Sequence, residues 1–537
     1  MESYDGNRGN CCCNSSKWIL VAIIGIAAGV FLSGIRKDLP YSHEIDENIY
    51  VDLAVKMVST GDMNPRWFGN PGSTVIYPLV FLFKLWTAGE YGGGLIGANP
   101  IIVHAYAADQ TEYYILGRML TVLYALLSIL MTYLVGKRLF GERVALIGAF
   151  FSTISPLIVY YGQVVRTDLA GTFFTMLSLW LILRIYDAPS TKNQVLAGLA
   201  IGSAIATRYF MVILCPALVA VDVMLFRMRR GESNAGKVNL RSMAAGLLAV
   251  PISFVLWSPF FVLDLPRAIR SIIYEARPSH FGHDGLSFFG NLAWYLTKSI
   301  PANLTLPIAI LTVAGLVLVF LRRRPEQLLI VSFAVLLLLC TSLSKLHWSR
   351  WTIQLFPTMA LLAAYALCET LAYLVDRASF VRRRTGAALT VLIVVFSILL
   401  VHDLLLFTIG ETATSTRILA REWVIRNLPD GAKVAYETYS VNLDATSEYF
   451  ELFGPTMLAA RGSLREFYNA GFEYLVVTSS IYDRFLAQPD RYPCEASFYS
   501  TLFEKGYLVK EFKPSDLNRG PTVRIYRIRG PADRTTE

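Results

Sequence analysis

The chain has 537 residues, of which 54% are hydrophobic and only 17% charged, and its formal net charge is +9. A soluble protein of this length would carry more charge and shorter apolar runs, so the composition excludes an ordinary soluble enzyme. The apolar runs repeatedly approach or exceed the roughly 18 residues that cross a bilayer, which predicts a polytopic α-helical membrane protein.

The apolar runs predict about eleven transmembrane helices. They cover residues 18–35, 113–136, 144–161, 169–186, 195–207, 209–226, 242–261, 304–321, 327–343, 352–375 and 386–408. The run 195–207 is short for a crossing. The run 74–88 contains Pro78 and Lys84, and it predicts a helix lying at the membrane interface rather than a crossing.

Basic residues set the predicted orientation. They cluster before the first run and in the loops 137–143, 227–241, 322–324 and 377–384. All of these fall on one side if the eleven spans hold, and the positive-inside rule makes that side cytoplasmic. This accounts for the positive charge without nucleic acid.

The predicted topology places the chain in the cell membrane and divides it into three parts. A cytoplasmic N-terminal tail (1–17) precedes a transmembrane domain (18–408), and a soluble domain (409–537) follows it on the outside. Two long loops, 36–112 and 262–303, are also predicted to lie outside. The first apolar run has no small-residue cleavage site before Arg36, so we expect it to remain as an anchor.

The first outer loop carries an acidic cluster, Glu44-Ile45-Asp46-Glu47-Asn48. Carboxylates beside a bilayer are costly unless water, a cation or a reaction occupies them. Apolar spacing predicts a helix over 46–59, and its first turn would hold Asp46 and Glu47, so helix capping is one interpretation. Capping explains one carboxylate but not the whole cluster with His43, which favours acid/base or cation chemistry.

Further charged residues fall at the same outer level. They are Arg166, Asp168, Arg208, Lys345 and Arg350. Asp168 opens a predicted helix, so it could also be an N-cap. An arginine among apolar residues at the membrane edge needs an anionic partner. For Arg208 that partner is either Asp168 or a lipid phosphate, and the sequence leaves both open.

The loop from Glu275 to Gly285 contains His280, His283 and Asp284. Glu275 and His283 are candidates for contact with a substrate. Two histidines with acidic neighbours could bind a divalent metal, but their three-residue spacing in a loop is a weak signal. The sequence therefore predicts no certain cofactor, and adjacent carboxylates can act without a metal.

Carboxylates on one side and cations on the other suit attack by a hydroxyl on a phosphate-linked group. A carboxylate would accept the hydroxyl proton while Arg or Lys stabilises the departing phosphate. The alternative is a proton-coupled transporter, which could also use buried carboxylates, although transporter sites usually lie at the midplane between repeated halves. A structural scaffold would leave the charged clusters unexplained.

Residues 409–537 predict a small extracytoplasmic α/β domain. A helical pattern over 412–427 stops at Pro429, and short β-rich runs follow it. Within this domain there is no phosphate-binding glycine loop and no metal-like spacing of His or Cys. A docking or substrate-covering role is therefore favoured over catalysis.

Several motifs resemble those of the GT-C glycosyltransferases, in the branch of protein mannosyltransferases and aminoarabinose transferases (ArnT-like). Ile45-Asp-Glu-Asn48 resembles the first-loop Asp-Glu motif, and Arg166-Thr-Asp168 resembles the second-loop acidic motif. The segment 198–208 resembles the G-x-x-x-G-x-A-x-x-T-K stretch, with Arg208 in place of Lys. Lys345 through Pro357 resembles a late outer-loop motif. The likeness covers roughly 40–375.

The resemblance implies inverting transfer of a sugar from a polyprenyl-phosphate donor to a protein, lipid or glycan acceptor at the outer membrane face. Carried over, Asp46 is the general base, Glu47 orients it or the acceptor, and Asp168 supports the site. Arg208 would contact the donor phosphate. Arg166, Lys345 and Arg350 are further candidates for binding that phosphate, because they fall at the same outer level. The alternative is a non-enzymatic transporter or binder of a lipid-linked sugar. Two departures stand out. Ile76-Tyr77-Pro78 replaces the family's His-Pro-Pro, and the Trp-Trp-Asp-Tyr-Gly signature of oligosaccharyltransferases is absent.

Overall fold

The structure is a computed structural model that describes most of the chain. The described residues are 6–40, 42, 45–229, 240–277, 280, 282–378, 414–443, 446–515 and 518–528. The predicted span 386–408 lies outside them, as do His43 and Glu44 of the acidic cluster.

Eighteen α-helices lie in the described part of the chain before the C-terminal domain. They are α1 (Gly6–Ser33), α2 (Ile45–Thr60), α3 (Ser73–Glu90), α4 (Ile101–Ala108), α5 (Thr111–Phe140), α6 (Glu142–Thr153), α7 (Pro156–Gly162), α8 (Asp168–Asp187), α9 (Thr191–Thr207), α10 (Cys215–Arg229), α11 (Leu240–Trp257), α12 (Pro259–Leu263), α13 (Leu265–Glu275), α14 (Phe288–Trp294), α15 (Ile300–Leu304), α16 (Leu306–Arg322), α17 (Pro325–Ser342) and α18 (Phe356–Ala378). Short 3₁₀ helices join some of them, at Tyr209–Leu214 and Ser349–Leu355.

Seven of the described helical segments are long and apolar enough to cross a membrane, or up to nine if two bent pairs each count as one span. The bent pairs are α6 with α7, at 63°, and α14–α15 with α16, at 120°. The predicted run 195–207 is helical, but α9 has only 17 residues. Within the described residues the structure thus supports a multi-pass protein, while the count of eleven stays a prediction.

Small residues allow α9 and α11 to pack closely. A methyl group added at Gly198 would collide with the carbonyl oxygen of Gly246, and one at Gly202 would collide with that of Val250. Small residues one turn apart are a common device where helix backbones approach each other in membranes. This contact fixes the end of α9, from which Arg208 emerges.

The predicted helix over 46–59 is confirmed as α2. Among the apolar residues whose helical spacing predicted this helix, Val55, Met57 and Val58 are buried, whereas Ile49 is exposed. The helix packs against α3 and α4, so part of its apolar face is covered by protein. The run 74–88 forms α3, which contains Pro78.

The predicted C-terminal α/β domain is confirmed. Its helices are α19 (Thr416–Asn427), α20 (Leu464–Asn469), α21 (Ser479–Leu486) and α22 (Pro493–Lys505), and its strands are β1 (Lys433–Glu437), β2 (Glu451–Thr456), β3 (Tyr474–Thr478), β4 (Tyr507–Phe512) and β5 (Val523–Arg527). The sheet order is β2-β1-β3-β5-β4. Strands β2, β1 and β3 are parallel, while β5 is antiparallel to β3 and β4.

Successive side chains of β1 pack on opposite faces of this sheet. Val434 and Tyr436 pack with Val424 of α19 on one face. Ala435 packs with Phe485 of α21 on the other face, where α20 and α22 also lie. Because successive side chains along a strand point to opposite faces, the buried strand β1 contributes to the hydrophobic core on both sides of the sheet.

The C-terminal domain contacts the loop that precedes α14. The Tyr492 hydroxyl donates to the carbonyl oxygen of His283 at 2.9 Å. The guanidinium of Arg484 lies 5.7 Å from the ring centre of Trp348. These contacts hold the domain against the same loops that carry the candidate site.

Candidate active site

The first turn of α2 points its two carboxylates in different directions. Successive helix residues are rotated by about 100°, since an α-helix has 3.6 residues per turn. Asp46 thereby faces Arg166 and Arg350, whereas Glu47 faces Arg118 of α5. One of the two is partly exposed, with 27% of the Asp46 side chain accessible, and the other is fully buried.

Five of the predicted site residues form one continuous chain of ion pairs. Asp46 pairs with Arg350, at 3.2 Å between Oδ2 and Nη1, and also with Arg166. Arg166 continues to Asp168, at 3.1 Å between Nε and Oδ2, and Asp168 pairs with Arg208. Three guanidinium groups and two carboxylates leave this chain with one excess positive charge.

Asp168 does not cap its helix in this arrangement. Thr167 is the N-cap residue, and Asp168 is the first residue of α8. Its two oxygens accept from Arg166 and Arg208, and its side chain is fully buried. The partner of Arg208 that the sequence left open is therefore Asp168.

A cavity of about 320 Å³ lies beside this chain of charges. Arg166, Arg208 and Arg350 line it, together with Glu275 and Tyr50. Nε of Arg350 is buried without a hydrogen-bond partner among the described residues. The cavity thus presents cationic donors.

Charge pairing holds Asp46 in its ionised form. Burial alone would raise the pKa of Asp46, but the positive charges of Arg166 and Arg350 outweigh it and hold the pKa below its usual value. For Arg166, burial alone would lower the pKa, but the negative charges of Asp168 and Asp46 outweigh burial and raise it. In this state Asp46 is a weak base, because its charge is already neutralised.

Glu47 supports the fold around Asp46. Its carboxylate accepts from Nε and Nη2 of Arg118, from the Ser42 hydroxyl at 2.7 Å and from the Val165 amide at 2.9 Å. Burial works to raise the pKa of Glu47, but the Arg118 charge overcomes it and lowers the pKa. These bonds connect α2 to α5 and to the segment that carries Arg166.

The remaining predicted residues lie apart from the ion-pair chain. Glu275 lines the cavity from the end of α13. Lys345 is exposed and is not among the described residues that line it. His283 is buried beside Asp284 and His347, and burial, reinforced by His347, lowers its pKa to about 4.

The sequence analysis missed three residues that the structure places in or beside the functional clusters. Arg118 was detectable, because an arginine within the predicted span 113–136 requires a buried partner. Tyr50 and His347 carried no such signal. Tyr50 reaches the cavity through the packing of α2. His347 lies in a separate cluster with His283 and Asp284, to which the loop after α17 brings it. A sequence pattern reveals neither placement.

A second, apolar cavity of about 500 Å³ lies between α10, α16 and α17. Helix α17 lines both cavities, with Leu336 and Leu339 on the apolar one and Leu337 and Cys340 on the charged one. A charged cavity and an apolar cavity therefore share helix α17 as a wall.

Comparisons with known proteins agree with this architecture. The family described as dolichyl-phosphate-mannose-protein mannosyltransferase matches residues 115–259. A curated relative from Pseudomonas fluorescens, undecaprenyl phosphate-alpha-4-amino-4-deoxy-L-arabinose arabinosyl transferase 1, is 25% identical over 339 residues. That match spans 61% of this chain and 56% of the relative's length.

Solved structures show the same fold. ArnT from Cupriavidus metallidurans bound to undecaprenyl phosphate aligns with a TM-score of 0.53 and 16% identity, covering 96% of this chain and 99% of that one. The Archaeoglobus fulgidus oligosaccharyltransferase aligns with a TM-score of 0.55 and 13% identity, covering 92% and 73%. The resemblance to GT-C membrane glycosyltransferases of the ArnT-like branch is confirmed, and the chain is a mostly helical, multi-pass membrane protein with this fold.

Proposed function

We propose that this chain is an inverting membrane glycosyltransferase. It moves a sugar from a polyprenyl-phosphate donor to a protein, lipid or glycan acceptor at the outer membrane face. The observation that carries the proposal is the ion-pair chain from Arg350 to Arg208, whose three guanidinium groups line one cavity.

The two cavities fit the two parts of such a donor. Guanidinium groups bind phosphate oxygens through paired, charge-assisted hydrogen bonds. The apolar cavity between α10, α16 and α17 suits the isoprenoid chain, since burial of apolar surface is favourable. The relative bound to undecaprenyl phosphate supports this class of carrier.

The reaction would be one in-line displacement. The acceptor hydroxyl oxygen attacks the anomeric carbon of the sugar as the bond from that carbon to the phosphate oxygen breaks. The hydroxyl proton moves to Asp46, and the electron pair of the broken bond stays on the phosphate. Arg166, Arg208 and Arg350 stabilise that developing charge.

Donor binding would also activate Asp46. Without a donor, its carboxylate is neutralised by Arg166 and Arg350. A phosphate in the cavity competes for those guanidinium groups, which weakens their hold on the carboxylate and raises its basicity. Asp168 would remain a positioning residue, because its buried oxygens orient Arg166 and Arg208.

A comparison of Asp46→Asn with Asp52→Asn tests the proposal. Both aspartates lie on α2, but Asp52 is exposed and accepts from Tyr106. Mass spectrometry of lipids retained by purified Asp46→Asn protein identifies the donor, which is then labelled and supplied in proteoliposomes. We expect no transfer by Asp46→Asn, nearly normal transfer by Asp52→Asn and donor binding by both.

Two outcomes would contradict the proposal. Normal transfer by Asp46→Asn would remove Asp46 as the base. Movement of the lipid-linked sugar across the bilayer by wild type, without any transfer, would favour the transporter alternative.

A further inference from the structure

A second cluster of chemically active side chains lies outside the ion-pair chain. His283 and Asp284 come from the loop before α14, and His347 comes from the loop after α17. One ligating atom of each lies within 4.8 Å of the others. The cluster joins two loops that are distant in sequence, and it omits His280, which the sequence had grouped with it.

The distances within the cluster suit a tetrahedral ion. His347 Nε2 lies 3.6 Å from Asp284 Oδ2, and His283 Nδ1 lies 4.0 Å from Asp284 Oδ1. Ligands around Zn²⁺ are separated by about 3.4 Å, since its bonds to N and O are about 2.0–2.1 Å long. The three side chains are therefore close to ligating distance but too far apart for short hydrogen bonds.

The tautomer of His347 is fixed by Asn291. The Asn291 amide nitrogen donates to the carbonyl oxygens of Ser342 and Ser344, so its Oδ1 faces His347 Nδ1 at 2.9 Å. That oxygen can only accept, so Nδ1 carries the ring hydrogen and Nε2 presents a lone pair toward Asp284. A second ring nitrogen anchored in this way is typical of metal-ligating histidines.

His283 supplies an independent observation. The residue is 9% exposed, and its Nδ1 is buried without a hydrogen-bond partner among the described residues. An unpaired buried polar atom is costly and calls for an explanation. A cation between this nitrogen and the Asp284 carboxylate would satisfy both.

We propose that His283, Asp284 and His347 bind a zinc-class divalent cation, with a fourth position left to water or another ligand. Two imidazoles and one carboxylate with an open position is a ligand set that zinc commonly takes. The ion cross-links the loop held by the C-terminal domain to the loop that leads into Arg350. Trp348 connects the two sites, since its ring centre is 5.3 Å from that of His283 and 5.1 Å from the Arg350 guanidinium carbon.

Zinc titration of full-length protein tests the site. The protein is purified in detergent without a metal-affinity step, stripped with chelator and titrated with Zn²⁺ against a fluorescent competitor. We expect one tight equivalent in wild type and at least a 100-fold loss of affinity in His347→Gln and Asp284→Asn. His280→Gln is the matched control, because His280 contacts Arg277 rather than the cluster, and it should bind as wild type does.

X-ray absorption of the zinc-loaded wild type gives a readout that needs no variant. A first shell with two imidazoles and only nitrogen and oxygen ligands supports the site. A shell containing sulfur would assign the ion to cysteines and overturn the proposal. Failure of wild type to bind Zn²⁺ supplied at about 100 µM, or equal binding by His347→Gln, would overturn it as well.

Discussion

Arg118 donates a hydrogen bond to each carboxylate oxygen of Glu47, from Nε to Oε1 and from Nη2 to Oε2, both at 2.8 Å. The pair is buried, with 4% of the arginine and none of the glutamate side chain accessible. Two parallel hydrogen bonds fix the orientation of both groups. The neighbouring Asp46 is thereby held at the site by Arg118, which is not among the described residues that line the cavity.

Removing Glu47 should destabilise the protein. Glu47→Ala leaves the Arg118 charge buried without its partner, a change that costs about 3–5 kcal/mol. Thermal unfolding of the solubilised chain measures it, and Asp52→Ala is the control on the same helix. An unfolding temperature unchanged by Glu47→Ala would show that the pair does not hold α2 in place.

Replacing Arg208 should weaken donor binding. Loss of a hydrogen bond to a charged group costs about 1.5–3 kcal/mol, which is roughly a 10- to 100-fold loss of affinity. Binding of the labelled donor to Arg208→Ala checks this. Lys345→Ala is the comparison, since Lys345 is exposed and outside the cavity lining, and we expect a smaller effect. Unchanged affinity in Arg208→Ala would remove Arg208 from the donor site.

Enlarging Gly198 should separate α9 from α11. The side chain of Gly198→Leu would meet the Gly246 carbonyl oxygen, which belongs to helix backbone and cannot move aside. We expect a loss of about 1–3 kcal/mol or more, as is typical of overpacking. Gly25→Leu on α1 is the control, because a Cβ there has no neighbour within 4 Å among the described residues. Equal thermal stability of the two variants would contradict the tight contact.

The C-terminal domain should lose stability as pH rises. Burial raises the pKa of Glu437 from 4.5 to about 8, although Tyr499 and Thr478 donate hydrogen bonds to it. Between these values the unfolded state has lost the proton that the folded state keeps. The free energy of unfolding therefore falls by about 1.4 kcal/mol per pH unit and levels off above pH 8.

Hydrogen exchange of peptides from β1 and β3, corrected for intrinsic rates, follows this loss in the full chain. Glu437→Gln should remove most of the fall. Glu451→Gln, an exposed change on β2, should retain it. Protection in wild type that does not depend on pH between 5 and 8 would contradict the assignment.

The sequence predicted the parts whose signal is local. The helix 46–59, the C-terminal α/β domain and the charged residues around Asp46 follow from periodicity, composition and the cost of charge near a bilayer. The ion-pair partners of these charged residues could not be predicted from the sequence, because they depend on how segments distant in sequence pack together. Asp46 and Glu47 are adjacent acidic residues in sequence, yet Asp46 pairs with Arg166 and Arg350, which line the cavity, whereas Glu47 pairs with the buried Arg118. Only the helix rotation and the position of α5 separate these two roles.

The histidine cluster illustrates the same limit. His280 and His283 share one loop, so spacing grouped them, whereas the structure groups His283 with His347, 64 positions further on. The loop before α14 and the loop after α17 meet because these two helices pack against each other. The amphipathic pattern of either helix does not specify that packing.

The odd number of arginines in the ion-pair chain has a consequence for turnover. A sugar-bearing phosphodiester carries one negative charge, whereas the phosphate monoester left behind carries about 1.5 to 2 at neutral pH. Under the proposed mechanism, the single excess positive charge, and the guanidinium groups freed when Asp46 takes the acceptor's proton, would favour the more highly charged species. The spent carrier would therefore remain bound longer than the loaded one, so product inhibition and its relief by higher ionic strength become the kinetic signature of this site.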